Sequence, residues 1–325
     1  MKTIAFILPD ALFTSGVTGM LDLFHFANRI AERDSGPVLH WILLSENGQA
    51  VRSASGILLA ADGSWQQPFS ADAIVLPGVT YTDLPQFEQR LHNEQPLFQK
   101  LRQWQAEGKI IAANCTSVAY LAESGLLDQK KATISWWLST WFARRYPNTL
   151  IQQHAILTEE DNLLCSGATS SYMSLGLRLL ERFAGHDLAQ QCSRMMLVDT
   201  HRASQAPYTT LQQYSGHNDP LIESCQLWLQ QHIEQPFSLA ELASAMNVGE
   251  RTLMRRFQQV LGDTPLHHLQ LMRLSKARRL LENSALAVGE IMFKVGYSDV
   301  SSFRRLFKRE LSCSPGEYRR RFASN

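Results

Sequence analysis

The sequence lacks the cysteine pattern of a metal module. Its five cysteines (Cys115, Cys165, Cys192, Cys225 and Cys313) are scattered, with no C-x-x-C pair and no Cys/His ligand spacing. That argues against a zinc module, and the odd count points to free thiols in a reducing cytoplasm. The chain also lacks any run near the ~18 apolar residues that cross a bilayer. Its opening, MKTIAFILPD, breaks at Pro9-Asp10, too short an apolar stretch for a secretory leader. Glycine (18) and proline (12) are not enriched, which excludes collagen-like and low-complexity classes. Hydrophobic residues at 45% against charged residues at 19% exclude intrinsic disorder. The expectation is a globular cytoplasmic protein with no metal, no cofactor and no membrane partner.

A large net charge is missing too, since the formal sum is +1. Split by position, the balance changes. Residues 1–218 hold 16 Lys/Arg against 19 Asp/Glu, whereas residues 251–325 hold 15 against 6. An acidic front masks a basic end, and such asymmetry points to a polyanion partner. At 325 residues the chain also exceeds what one core serves, roughly 250–300 residues.

Two unlike domains are expected. In the front, apolar runs at Thr3–Leu8, Leu39–Leu44, Ala73–Leu76 and Lys109–Ala113 alternate with helical stripes at Val17–Arg33, Pro96–Gln105, Ser117–Glu123 and Trp136–Arg145. Ala155–Thr158 and Leu163–Cys165 look extended, and Ser170–Phe183 and Leu188–Leu197 look helical. This alternation predicts an α/β fold with an open, mostly parallel sheet and helices on both faces. The stretch His201–Asp219 has linker chemistry, with Ala206-Pro207 and Ser215-Gly216. Beyond it every segment looks helical. The predicted division is a sensing and dimerisation domain at 1–200, a linker at 201–218 and an all-α domain at 219–325.

The all-α part contains one plan twice. Ser238-Leu-Ala-Glu241 is a capping-box sequence, Asn247-Val248-Gly249 is a turn, and Glu250–Leu261 is a second helix. Leu253, Phe257, Val260 and Leu261 form its inner stripe, and Arg251, Met254, Arg255 and Gln258 form the opposite face. About fifty residues on, Val288, Ile291 and Met292 mark a short helix, Gly296–Asp299 a turn, and Val300–Glu310 a second helix. Its outer face carries Ser301, Arg304, Arg305 and Lys308. This is a pair of helix-turn-helix units, joined by a long helix at Leu266–Asn283 with Arg273, Lys276, Arg278 and Arg279. Basic outer faces can be merely solvated, but two copies at matched positions fit phosphate attraction and arginine pairing with guanine. Two linked recognition helices suit successive major grooves, roughly 34 Å apart. His267 and His268 on the joining helix are expected to be exposed.

The run Gly296-Tyr-Ser-Asp-Val-Ser-Ser-Phe-Arg-Arg-Leu-Phe-Lys-Arg309, followed by Ser314-Pro-Gly-Glu-Tyr-Arg319, resembles the signature of the AraC/XylS family. Val248–Phe257 and Gly262-Asp-Thr-Pro265 resemble its first unit, so the likeness covers roughly 219–322. It implies double-stranded DNA as partner, read by Arg251, Thr252, Met254, Arg255, Ser301, Ser302, Arg304, Arg305 and Lys308. Met254 stands where a polar reader is common. Gly296 and Pro315 are expected to be structural. Activation of transcription, with RNA polymerase as a further partner, belongs to the same expectation.

In the front domain, Ile110–Ala113 runs into Asn114-Cys115-Thr116-Ser117 and then a helix. A cysteine at a strand-to-helix turn has the form of a nucleophile elbow. A helix N-terminus there would lower the thiol pKa. The backbone N–H after Cys115 and the Gly78-Val79 loop are the expected oxyanion donors. With Leu76-Pro-Gly78, Leu121–Leu127 and Lys131-Ala-Thr133, the elbow resembles the intracellular-protease and class I amidotransferase-like superfamily, over roughly 1–197. Both domains together resemble the GlxA-type subgroup of AraC-family regulators.

Enzymes of that superfamily carry a glutamate near the position of Gly16 and a histidine near that of Ser135. Without an acid or base the thiol is a poor catalyst, so no enzyme is expected. The alternative is a cysteine-dependent hydrolase or amidase with a DNA-binding tail. Cys115 can also be simply a small residue fitting a tight turn. Gly78, Val79, Cys115, Thr116, Ser135, Trp136, Thr169 and Ser170 are the candidate ligand-binding residues. Helix N-termini favour an anionic group there, while Trp136, Trp137 and Trp141 fit either an aromatic cage for a cation or a packed face. The subgroup resemblance implies a small-molecule effector, an amino acid or amine-like metabolite, and a homodimer.

Overall fold

The computed structural model describes residues 1–32, 36, 38–199, 204–209 and 219–323. The chain divides into two compact units, Met1–Gln205 and Ala206–Asn325.

The first unit is built on β1 (Lys2–Ile7), α1 (Ser15–Ala31), β2 (Leu39–Ser45), β3 (Val51–Arg52), β4 (Leu58–Leu59), β5 (Gly63–Ser64) and β6 (Ala73–Leu76). There follow α2 (Leu84–Asn93), α3 (Gln95–Ala106), β7 (Ile110–Asn114), α4 (Val118–Glu123), β8 (Lys131–Ala132), α5 (Ser139–Arg145) and β9 (Leu150–Ile151). The unit closes with β10 (Leu157–Glu160), β11 (Leu163–Ser166), α6 (Tyr172–Ala184) and α7 (His186–Met195). Among the described residues the main sheet has seven strands in the order β10-β11-β7-β6-β1-β2-β5. β10 pairs antiparallel with β11, and the other neighbours run parallel. β6 and β7 are buried at every position, as strands covered on both faces must be.

The order has a reversal. From β1 the chain crosses to β2 on one side, whereas from β6 it crosses to β7 on the other. Right-handed crossovers in opposite directions put α1 and α3 on opposite faces. α1 buries Val17, Met20, Leu23, Phe24, Ala27 and Ala31, a helical stripe that packs with α6 and α7. The reversal leaves a crevice at the carboxyl ends of β1 and β6, where open α/β sheets hold ligands.

Local departures from the sequence expectation have physical causes. The segment at 117–123 begins with a 3-10 turn at Cys115–Ser117, because Cys115 is held at φ +60°. Trp136–Arg145 likewise divides into a 3-10 turn at Trp136–Leu138 and α5. α2 was not expected. Only Phe87 and Leu91 of it are buried, so its stripe is faint, although Asp83 caps it and accepts from the Gln86 N–H.

The described part of 201–218 is not free chain. Gln205 is 1% exposed, and its amide nitrogen donates to Thr133 Oγ1 and to the carbonyls of Ile134 and Gln153. Ala206–Tyr208 belongs to the second unit, where Arg278 donates to the Pro207 carbonyl. Residues 201–203 and 210–218 lie outside the described residues.

The second unit comprises α8 (Pro220–Gln231), α9 (Leu239–Ala245), α10 (Glu250–Leu261), α11 (Pro265–Asn283), α12 (Val288–Lys294), α13 (Val300–Leu311) and α14 (Pro315–Phe322). The repeat extends to the caps. α10 and α13 begin fifty residues apart, and both end in left-handed residues, Gly262 and Ser312. α11 and α14 both start at a proline behind a hydroxyl cap, Thr264 and Ser314. The turns hold Asn247 and Gly296, each with positive φ. The capping box expected at Ser238 is half formed, with Ser238 accepting from the Glu241 N–H.

Candidate functional site

The helix-turn-helix faces follow from the packing behind them. Leu253, Phe257 and Leu261 of α10 are buried in one cluster, and Phe303, Leu306, Phe307 and Leu311 of α13 in another. Burying those stripes turns Arg251, Thr252, Arg255 and Gln258, and then Ser301, Arg304, Arg305 and Lys308, to the exposed side. Met254 and Ser302 are partly covered. Asp299 caps α13, accepting from the Ser301 and Ser302 N–H groups, and Arg305 donates to Ser302 Oγ at 3.3 Å.

Much of the basic excess at the C-terminal end is spent internally. Arg273 is 7% exposed, and its guanidinium donates to the carbonyls of Ile233 and Gln235 and lies over the Tyr297 ring. Lys276 pairs with Glu234 at 2.6 Å, and Arg256 with Asp219 at 2.5 Å. Arg278 bonds the Tyr318 hydroxyl, and Arg319 the Leu286 carbonyl. The joining helix therefore uses Arg273, Lys276 and Arg278 as internal staples, while its Arg279 stays exposed.

One loop is central to that stapling. Ile233–Gln235, between α8 and α9, is gripped by Arg273 and Lys276 of α11. Gly296, the turn of the second unit, lies against the same loop. A Cβ there would meet the Ile233 and Glu234 carbonyl oxygens at 2.8 Å, and its φ is +83°. Both facts require glycine.

The two histidines of α11 are not exposed as expected. His268 is 2% exposed and meets Phe257 edge-on at 5.6 Å, as Tyr318 meets Phe307 at 5.7 Å one repeat later. His267 bridges Asp263 at 2.8 Å and Glu310 of α13 at 3.5 Å. The two acids raise its pKa to about 9. A raised histidine stabilises the fold fully below its ordinary value of 6.5, and that contribution is lost as pH rises through about 9. The Glu310 carboxyl is held below its usual range by the same contact, against the pull of burial, so its contribution is lost in acid. His267→Ala is expected to cost ~1–2 kcal/mol near pH 6, after screening of a ring that is 34% exposed, and less near pH 10. Urea unfolding of the second unit at both pH values checks this.

In the first unit the elbow is closed. Cys115 has no exposed surface. Ser135 Oγ donates to its sulfur at 2.9 Å, and Thr169 Oγ1 lies 3.7 Å away. Burial pushes the thiol pKa up, with hydrogen bonds from Ser135, Thr169 and Thr116 offsetting it in part. The lowering expected from a helix N-terminus is thus outweighed by desolvation. Thr116 Oγ1 accepts from the Val79 N–H at 2.7 Å and donates to the Val79 carbonyl at 2.8 Å. Ser117 Oγ donates to the Pro77 carbonyl at 2.6 Å. Gly78 packs so closely that a Cβ would sit 2.8 Å from Cys115 Cβ.

One of these contacts occupies an expected oxyanion donor. The Val79 N–H is taken by Thr116, and the Thr116 N–H faces the Cys115 sulfur. The Asn114 side-chain oxygen accepts from Ser166 Oγ and from the Cys115 and Tyr172 N–H groups. Gly16 lies beside this asparagine, its Cβ position 3.9 Å from the end of the side-chain amide. Of the expected ligand set, Gly78, Val79, Cys115, Thr116 and Ser135 are buried, Trp136 and Thr169 are partly exposed, and Ser170 is exposed. The tryptophans do not form one cage. Trp136 and Trp137 meet edge-on at 5.3 Å, whereas Trp141 packs on Phe87 and donates to Glu88 at 2.7 Å. Iodoacetamide at pH 8 is expected to modify Cys115 far more slowly than the half-exposed Cys313. Mass spectrometry of the two peptides checks this, and equal rates would contradict a closed elbow.

Sequence reasoning expected a pocket at the strand ends but missed the residues that line this one. A cavity of about 480 Å³ opens at the crevice, lined by residues that follow β1, β2 and β6 and by α2. No helix among the described residues is long and apolar enough to cross a membrane.

Fold and sites together define a DJ-1/PfpI-type α/β domain coupled to a helix-turn-helix domain. The DJ-1/PfpI family model matches residues 12–182, and a helix-turn-helix domain model matches residues 242–321. The chain belongs to the DJ-1/PfpI family. Its C-terminal domain is of the AraC type, which makes it a GlxA-like transcription regulator in build. It is 29% identical to the HTH-type transcriptional regulator CdhR of Pseudomonas aeruginosa, over 90% of this chain and 84% of that protein. It is 26% identical to the HTH-type transcriptional regulator GlxA of Rhizobium meliloti, over 100% of this chain and 97% of that protein. Among solved structures, a putative transcriptional regulator from Vibrio parahaemolyticus matches with a TM-score of 0.53 at 18% identity, covering 60% of this chain and 98% of that one. Drosophila melanogaster DJ-1beta matches with a TM-score of 0.51 at 20% identity, covering 61% of this chain and 98% of that one.

Proposed function

We propose that this protein is a sequence-specific DNA-binding regulator, working in the bacterial cytoplasm as a homodimer. Its domain at 1–200 binds a small metabolite, 201–218 connects, and 219–325 reads DNA. The reading rests on one observation above the others. Both recognition helices present arginines without ion pairs among the described residues, while neighbouring arginines are consumed by the fold. Arg251, Thr252, Met254 and Arg255 of α10 contact one segment of the duplex, and Ser301, Ser302, Arg304, Arg305 and Lys308 of α13 the next. Effector binding biases the placement of the DNA-binding domains, within the limit set by its differential affinity for the two states. RNA polymerase is the partner that such a regulator recruits when it activates.

Selection of binding sites from a random duplex library, followed by footprinting on a selected fragment, tests the DNA half. Two adjacent protected segments are expected, with affinity falling steeply as salt rises. A single unspecific, salt-insensitive footprint would contradict it.

A further inference from the structure

We propose that His267 is a positioning residue for DNA reading. By bridging Asp263 and Glu310 it fixes the angle between the recognition helices α10 and α13, and so the spacing of the two duplex segments that the protein accepts. The proposal rests on the regulatory reading above and adds the residue that sets spacing specificity.

Little of the apolar core is shared between the two recognition helices. α10 buries its stripe in one cluster and α13 buries its own in another. Among the described residues, Leu271 of α11 is the one partly buried side chain that packs against both. Apolar contact is non-directional, so one such residue does not set an angle. Hydrogen-bonded and ionic contacts are directional, and they do.

Such contacts hold α13 at its two ends. Before its start, Gly296 lies against the Ile233 and Glu234 carbonyls, and the Tyr297 ring sits between Arg273 and Phe303 of α13, 5.5 Å from the latter. At its far end the contact is His267. The Nδ1 atom of the imidazole is 2.8 Å from both Asp263 carboxylate oxygens, in the turn that follows α10. Its Nε2 atom is 3.5 Å from Glu310 Oε1, in the last turn of α13. One ring thus ties the end of the first recognition helix to the end of the second. α13 has 12 residues, a length of about 17 Å. Held at Gly296 alone it would be a lever of that length, and His267 stops its free end.

The charges suit that task. The Asp263 and Glu310 side chains are only 10% and 11% exposed, and Arg309 is the other cation on Glu310, at 2.6 Å. Acids so covered need a fixed partner, and with a pKa of about 9 the imidazole is charged at neutral pH.

The trio is also foreign to the repeat. Fifty residues before Glu310 stands Val260, and fifty after Asp263 stands Cys313. Fifty after His267 stands Glu317, which closes the capping box of α14 on Ser314 instead. A helix-turn-helix unit therefore forms without these three side chains. They come together only where the two units meet, as a device of the joint would.

The test uses the full chain and a duplex fragment obtained by selection, together with versions that gain or lose one base pair between the two protected segments. Gel-shift titration gives the ratio of affinities for original and altered spacing. The unaltered protein should prefer the original by roughly tenfold or more, because a displaced segment loses the base contacts of one helix. His267→Ala should shrink that preference to roughly threefold or less, as α13 follows the displaced segment at little cost. His267→Lys, which keeps a cation between the two acids, should retain most of it. Glu310→Gln should relax it as well, and serves if His267→Ala fails to fold. The two substitutions combined should relax it no further than the stronger one alone, since both remove one contact. Lost stability by itself lowers affinity for every fragment by the same factor and leaves the ratio where it was. An unchanged ratio in His267→Ala and Glu310→Gln, a lysine variant as relaxed as the alanine one, or an unaltered protein indifferent to spacing would overturn the proposal. In each of those cases specific DNA binding persists and the regulatory reading stands. If the unaltered protein binds no fragment specifically, both fall.

Discussion

Arg304→Ala combined with Arg305→Ala should nearly eliminate sequence-specific DNA binding while leaving the fold intact. Both side chains are exposed, and α13 is held from behind by Phe303, Leu306, Phe307 and Leu311. Their removal costs the core nothing. Each arginine that pairs with a base edge is worth roughly 1–3 kcal/mol, so losing two is worth one to four orders of magnitude in affinity. The salt dependence should flatten as well if either side chain also meets phosphate. The neighbour Arg309 is the built-in control. It is spent on Glu310 at 2.6 Å, so Arg309→Ala should change affinity little. Gel-shift titration of the three proteins on one selected fragment decides the matter. Equal losses for all three would mean that only bulk charge counts and that α13 does not read bases.

Gly296→Ala should be the most damaging single substitution in the second unit. The residue holds φ +83°, which costs an L side chain roughly 1–2 kcal/mol. Its Cβ would then press on two backbone oxygens at 2.8 Å, and backbone cannot swing aside as a side-chain tip can. A total of roughly 3 kcal/mol or more is expected. The loss should appear as early unfolding of the second unit in urea, with the first unit's transition unchanged. Gly289→Ala is the contrast. That glycine lies inside α12 with nothing within 4 Å of its Cβ position, so alanine should be neutral or stabilising by ~0.5–1 kcal/mol. If the two substitutions behave alike, the close approach to the Ile233–Gln235 loop does not matter.

Local chemistry was the legible part of this chain. The cap at Ser238, formed in half of its box, the stripes of α10 and α13 and the turn glycine at 296 are short-range features, and each appears in the fold. The α/β alternation was legible for the same reason, because central strands such as β6 and β7 are continuous apolar runs. What stayed hidden depends on partners far apart in sequence. Nothing near Arg273 marks it as a staple for carbonyls at 233 and 235, and nothing near Thr116 announces its double bond to Val79. The cavity is the clearest case, since Asp10, Ser45 and Glu94 meet only once the sheet is assembled. The burial of His268 did have a signal. It stands fifty positions before Tyr318, and carrying the repeat past the recognition helices would have placed it inside.

The hydroxyl clasp on Cys115 also sets what imidazole-assisted thiol chemistry would require at this turn. Ser135 has no exposed surface and fills its place with a single oxygen 2.9 Å from the sulfur. An imidazole at that position would need room for a five-membered ring in a region packed like a crystal. Thr116 and Val79 would also have to release each other before the Val79 N–H could serve an oxyanion. Histidine-assisted hydrolysis at Cys115 is therefore expected to need more than one substitution. It needs a new base, a cleared volume and a freed donor at the same time, and each change alone loses packing or hydrogen bonds without gaining turnover. A selection for hydrolytic variants by single substitution should come back empty.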